Sequence, residues 1–277
     1  MSQVITEISS RSRTSPGELL KETWAYRELF GTFVERDLRV RYRQTFLGIA
    51  WVLLYPLLFS GIFSVVFGKL FGDVAAIPKG NDRILFFLAA LVPWQCFSGG
   101  ISNAATSLEA NSGLLGKIYF PRILVPASVL CSTVIDFAVG WIFFNVAAMG
   151  WGYWTWKFII FTPVLLMLQL VAALGAGLVL AALNAQYRDT RYVVPFLIQM
   201  GFFVTPILYP LKMIPSRWLW AAWINPMAGV IETYRALLAG TYIPYKLLAM
   251  NTGVAVALAI FGVCFFQRRV QRIIDIL

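Results

Sequence analysis

The sequence contains no histidine and is poor in charge, with only 13% of its 277 residues Asp, Glu, Lys or Arg. The first absence removes the commonest side chain for general acid–base work and the commonest neutral metal ligand. The three cysteines, Cys96, Cys131 and Cys264, fall in apolar runs without C-x-x-C spacing, so neither a zinc motif nor a disulfide framework is indicated, and they read as small core residues. No catalytic residue and no metal site are expected. Also missing is a G-x-x-x-x-G-K-[ST] loop. The nearest segment, SGLLGKI around Lys117, lacks both the spacing and the hydroxyl that a phosphate cradle requires, so any nucleotide must be handled by another chain. Between Met1 and Lys21 there is no apolar stretch followed by a cleavage site, and the first hydrophobic span is expected to direct insertion itself.

What is abundant is apolar surface: 59% of residues are hydrophobic, 16% aromatic, and the mean hydropathy is +0.73. Such a composition calls for lipid as solvent. A helix needs about 20 apolar residues to cross about 30 Å of hydrocarbon. Five runs meet this length, at 49–70, 84–105, 123–149, 158–183 and 247–266, and a sixth, 193–209, is shorter and interrupted by Pro206. Between the last two lie WLWAAWI and Met227 to Ala239, apolar but too short to cross, which read as re-entrant or interfacial helices. The expected fold is all-α and polytopic: six spans in one membrane domain, 17–277, after a flexible N-terminus, 1–16. With both termini on the cytoplasmic side, 15 of the 23 Lys and Arg fall on that side and 8 on the other, the bias expected of a multi-pass inner-membrane protein.

Several local patterns carry chemistry. From Gly17 to Leu38, the residues Leu19, Tyr26, Phe30 and Phe33 share one helical face, as in a helix lying in the membrane interface or packed on a partner. The first span repeats aromatics every fourth residue, Trp51, Tyr55, Phe59, Phe63, Phe67 and Phe71. At about 100° per residue the first three share a face and the whole set winds around the helix. Such rings either line a path or meet lipid and neighbouring helices. Asp136 falls near the middle of the third span, where a carboxylate costs about 2.5–3.5 kcal/mol. It must face protein or water, as a pore-lining group, as a partner of Gln169 or Gln199, or protonated. Arg36, Arg39 and Arg43 share a face suited to phosphate oxygens, or simply hold topology against anionic lipid. Leu108 to Tyr119 has the pattern of a short helix with a Phe-Pro stop, and Glu232 and Arg235 are spaced for a helical ion pair, in which a solvated surface pair is the alternative. Ala173, Gly175 and Gly177, and Gly68 and Gly72, would allow helices to approach closely.

Four segments, RDLRVRYRQTFLGIAWVLLYP from Arg36, GKIYFPRILVP from Gly116, YRDTRYVVPFLIQMGFFVTPILYP from Tyr187 and NPMAGVIETYRALLAG from Asn225, resemble the permease subunits of O-antigen and teichoic-acid ABC exporters. The resemblance implies a homodimer with two copies of a cytoplasmic P-loop ATPase, which would bind ATP and Mg. It further implies outward movement of an undecaprenyl-pyrophosphate-linked glycan, and no nucleic-acid partner. It favours Trp51, Tyr55 and Phe59, with Asp136, as channel-lining residues and Arg36, Arg39 and Arg43 as contacts of the lipid pyrophosphate. Glu109, Leu114, Leu115, Lys117 and Tyr119 would form the coupling helix seated in the ATPase, and Glu232, Tyr234 and Arg235 a periplasmic gate. The alternatives left open are a type-two permease for a drug or small lipid, a teichoic-acid exporter, a membrane enzyme, which would need acid–base groups the chain lacks, and a passive channel, which would need no ATPase.

Overall fold

The structure, a computed structural model, describes residues 16–42, 50–70, 81–115, 120–187 and 189–273. These are helical, with no strand among the described residues. Two short helices, α1 (Pro16–Ala25) and α2 (Arg27–Tyr42), precede the first long one, α3 (Ala50–Leu70). Then come α4 (Asn81–Ala110), the four-residue α5 (Ser112–Leu115), α6 (Leu124–Gly150), α7 (Lys157–Gln186) and α8 (Thr190–Val204). The chain ends with α9 (Leu219–Ile224), α10 (Pro226–Leu238) and α11 (Tyr245–Ile273). We call the end of the bundle that holds α1, α2 and α5 basal and the end that holds α9 and α10 apical.

Among the described residues five helices, α3, α4, α6, α7 and α11, are long and apolar enough to span a membrane, so the chain is a multi-pass membrane protein. The sixth, α8, has 15 residues. At 1.5 Å per residue it reaches about 22 Å, short of the hydrocarbon thickness. It starts three residues earlier than the 193–209 run suggested and stops at Val204, because Thr205 precedes Pro206 and takes an extended conformation (ψ 137°).

The central helix is α4, packed on α3, α6, α7, α8 and α10, while α7 also lies along α11. The α7–α11 crossing depends on glycine. A Cβ at Gly175 would stand 2.5 Å from the backbone of Leu258, and one at Gly262 would stand 2.3 Å from the Gly175 carbonyl oxygen. Gly177 sits against the Ala104 methyl of α4 in the same way. The close approach expected at Gly175 and Gly177 is therefore present. No side-chain contact is described for Gly68, and Gly72 lies outside the described residues.

Much of the aromatic content is core. Phe137, Trp141 and Phe144 stack along α6, with centroids 5.6 and 4.7 Å apart, and Phe158 of α7 and Tyr234 of α10 close on Trp141. A second aromatic population marks the apical margin. Trp151, Trp154, Trp156, Trp218, Trp220 and Trp223 are all exposed, as in an interfacial belt.

The N-terminal amphipathic segment is two helices meeting at Tyr26. Its apolar face does not lie free. Phe33 is buried 5.4 Å from Phe120, and Tyr26, Leu29 and Phe30 pack on the same basal cluster of Leu108, Leu115, Leu124 and Phe266. The face read from the sequence is thus correct, but its partner is this chain's own bundle.

Candidate functional site

The aromatic ladder of α3 divides in two. Phe59, Phe63 and Phe67 are drawn toward the core: Phe63 lies 5.7 Å from Phe87 and 6.3 Å from Phe202 of α8, and Phe67 lies 5.6 Å from Phe87. Below them Trp51 is 56% and Tyr55 42% exposed, and Tyr55 stacks on Phe59 at 4.4 Å, so the open rings run continuously into the packed ones. Pro56, within α3, is buried. The adjacent helix α8 exposes Tyr192, Phe196, Met200 and Phe203. Its other side is held by Trp94 of α4, which packs on Phe202 at 6.0 Å. Together α3 and α8 present exposed rings and a thioether that no other described element covers.

At the basal end of this face Asp136 is neither solitary nor paired with a glutamine. Arg41 and the Tyr42 hydroxyl, both on α2, donate to its carboxylate. Burial, and then the Asp136 carboxylate, push the Tyr42 hydroxyl up to about 12, so it remains a donor throughout the physiological range. One turn nearer the base, Asp37 accepts from Ser128 of α6 at 3.4 Å and from Arg36 at 2.8 Å. Arg36 also lies over the Phe33 ring, and Arg39 pairs with Glu35 on an exposed surface. Both described arginines of the expected headgroup cluster are therefore already matched to carboxylates, while Arg43 lies outside the described residues. The sequence signal that would have found Arg41 is Asp136 itself, since a carboxylate at membrane depth requires a cation and the nearest unassigned ones precede α3.

The expected coupling segment is described as far as Leu115. Among the described residues, α4 runs on to Ala110, where Asn111 turns the chain by donating to the Ser107 carbonyl at 2.7 Å, and Ser112–Leu115 follows as helix. Leu115 is buried in the cluster of Phe33 and Phe120, so it is not an outward contact residue, while Leu114 is half-buried against the same cluster. Glu109 is exposed but engaged, accepting from Arg191 at the start of α8 and from Asn184 at the end of α7. It ties three basal helix ends together. Lys117 and Tyr119 lie outside the described residues.

The apical constellation is buried, not solvated. Pro206 and Pro210 have no N–H, so the bend after α8 cannot form a helical ladder and its carbonyls need other donors. Arg235, 5% exposed, supplies them: its guanidinium donates to Pro206 and Ile207 at 2.6 Å, Tyr209 at 3.1 Å and Phe86 at 3.4 Å. It also lies 3.6 Å from the centroid of the Phe86 ring and 3.3 Å from Glu232, which in turn accepts the Leu211 N–H at 3.1 Å. The surface-pair alternative is thereby excluded. Tyr234, fully buried at 4.3 Å from Trp141, is a core residue and faces no aqueous mouth in this conformation.

Two asparagines that sequence reasoning passed over complete this region. Asn225 caps α10 by accepting from Met227, and donates to Thr205 at 2.8 Å. Asn251 of α11 accepts from Gly229 at 2.7 Å and donates to the carbonyls of Ala222 and Trp223, satisfying groups that the end of α9 leaves open. Only its position in an otherwise apolar span could have singled Asn251 out.

Residues 28–239 match the family model described as ABC-2 type transporter. The chain belongs to the ABC-2 type transporter family. This ABC-2 chain is 32% identical over 231 residues to the O-antigen export system permease protein RfbA of Myxococcus xanthus, covering 79% of this chain and 83% of that one. It is 28% identical over 258 residues to the RfbA permease of Klebsiella pneumoniae, covering 90% and 95%. It is also 25% identical over 214 residues to the polysialic acid transport protein KpsM of Escherichia coli, covering 75% and 80%.

Proposed function

We propose that this chain is the membrane-spanning permease of an ATP-driven exporter that moves a lipid-linked polysaccharide across the inner membrane, with the basal end in the cytoplasm. The observation that carries the reading is the uncovered ring-lined face of α3 and α8. Relatives named for O-antigen export and polysialic acid transport supply the cargo class.

In this reading two copies set their α3 and α8 faces toward each other and enclose a conduit. Trp51, Tyr55 and Phe59 offer flat apolar faces to the C–H faces of sugar rings. A polymer that must slide needs many weak contacts and no tight site, and stacked rings provide contacts of that kind. The glycan's pyrophosphate end is met by Arg36, Arg39 and Arg43, the first two exchanging their present carboxylate partners for phosphate oxygens. An ATPase subunit, one per permease, takes up the segment around α5, with Lys117 and Tyr119 as contacts and the buried Leu115 as the anchor that passes its displacement to α2, α4 and α11. Glu109 passes the same displacement to α7 and α8 through Asn184 and Arg191. At the apex Glu232 and Arg235 hold the bend after α8 closed against α4, and opening requires that bend to move with α10.

Complementation tests the reading. In a strain lacking its own polysaccharide export permease, Trp51→Ala/Tyr55→Ala should leave the membrane level of the chain unchanged and reduce surface polymer at least tenfold. Full surface polymer with this double variant would remove the aromatic path from the mechanism.

A further inference from the structure

At the apical margin, away from α3 and α8, lies a cavity of about 440 Å³ that the transport path does not use. Two helix ends wall it. α6 and α10 both terminate in glycine caps, Gly152 at φ 80° and Gly240 at φ 63°. In each the next N–H reaches back five residues, Tyr153 to Ala148 at 2.8 Å and Thr241 to Ala236 at 2.9 Å. Into the space between them face Trp154, Thr155, Lys157 and Tyr245. Lys157 is exposed and in no ion pair among the described residues. Asp82 of α4 engages the hydroxyl of Tyr153, itself a lining residue of the cavity.

A second hollow, about 390 Å³ and almost wholly apolar, runs between α6 and α7 and is lined by Ile142, Val146, Met149 and Ile159. Trp154 forms a wall of both, its indole fixed by a 3.1 Å bond to Asn145. The polar cavity lies among the exposed tryptophans of the apical belt, at headgroup level, and the apolar groove extends from it toward membrane depth. A cation at headgroup height above a lipid-facing groove is complementary to one kind of molecule.

We propose that these two hollows form a single phospholipid site, with the phosphate beside Lys157 in the polar cavity and an acyl chain along the α6–α7 groove. The lipid joins the cap of α6 to the cap of α10, and so braces the apical helix that carries Arg235. The site depends on neither the cargo nor the ATPase.

Native mass spectrometry of the purified, delipidated full chain, with any partner it retains, tests this. The titrants are phosphatidylglycerol, a diacylglycerol with the same chains, and glycerol phosphate. One phosphatidylglycerol per chain should bind, and Lys157→Gln should weaken it about fivefold, the factor expected for one basic residue near a phosphate. Val146→Trp, at an exposed groove position, should weaken phosphatidylglycerol and diacylglycerol alike. At one lipid concentration the thermal midpoint should rise more for the wild-type chain than for Lys157→Gln. The proposal is overturned if diacylglycerol binds as tightly as phosphatidylglycerol. It is also overturned if both variants bind like wild type, if glycerol phosphate alone binds as tightly, or if an oligosaccharide displaces the lipid from the cavity.

Discussion

Replacing Gly175 by alanine puts a methyl group where the backbone of α11 already stands. The added Cβ would lie 2.5 Å from the Leu258 carbonyl carbon and oxygen and 2.6 Å from the Ala259 nitrogen, whereas ordinary contact begins at 3.4 Å. Backbone cannot rotate away as a side chain can, so α7 and α11 must part locally by the difference between 2.5 and 3.4 Å, about 0.9 Å. Overpacking of this kind costs about 1–3 kcal/mol. Alanine in place of glycine in a helix returns up to about 1 kcal/mol. The control is Gly253→Ala on the same α11, where a Cβ would meet nothing within 4 Å and only the favourable part remains. Gly175→Ala should therefore be less stable than Gly253→Ala by about 1–3 kcal/mol. The difference can be measured by reversible unfolding in mixed detergent micelles, or as the monodisperse fraction after a heat step. Equal stability of the two variants would refute the claim that glycine sets this helix crossing.

Other expectations follow from the same geometry. Arg235→Gln removes a fully engaged buried cation and strands the carbonyls of Pro206 and Ile207 together with Glu232, a loss of about 3–5 kcal/mol. Arg235→Lys should recover little of it, since an ammonium cannot serve the same fan of acceptors, and thermal melts of the two variants decide this. For Asp136 and Arg41, a double-mutant cycle with Asp136→Asn and Arg41→Gln should give a coupling of about 0.5–3 kcal/mol, and additivity would dissolve the α2–α6 clamp. Asn251→Leu leaves the Gly229 N–H and the ends of α9 unsatisfied and should cost about 1–3 kcal/mol in the same melts, with Asn251→Asp intermediate because it retains the acceptor.

The spans were legible because length and apolar content alone decide them: α3, α6 and α7 fall within three residues of the runs read from sequence, while α4 and α11 run on past theirs to Ala110 and Ile273. The short apical helices were legible for the same reason. What composition does not carry is which surface meets which. The face of Tyr26, Phe30 and Phe33 follows from helical periodicity, but its burial on Phe120 and Leu115 depends on contacts about 80 residues away. Asp136 announced that it needed a partner without naming Arg41, 95 positions earlier. The Glu232–Arg235 spacing indicated an ion pair, yet the burial of Arg235 arises from carbonyls set free by the prolines around 206–210, which become neighbours only in the folded bundle. Local chemistry was readable wherever it was complete within one turn of helix. Sites assembled from several helix ends were not.

Purification of the tagged chain from its native membrane in mild detergent tests most directly whether the chain is the membrane half of an ATP-driven exporter, as proposed. Recovery of a P-loop ATPase in equal amount, with ATP hydrolysis stimulated by lipid-linked polysaccharide, is the expected result. Recovery of the chain alone, with glycan crossing the membrane in the absence of any ATPase, would contradict it.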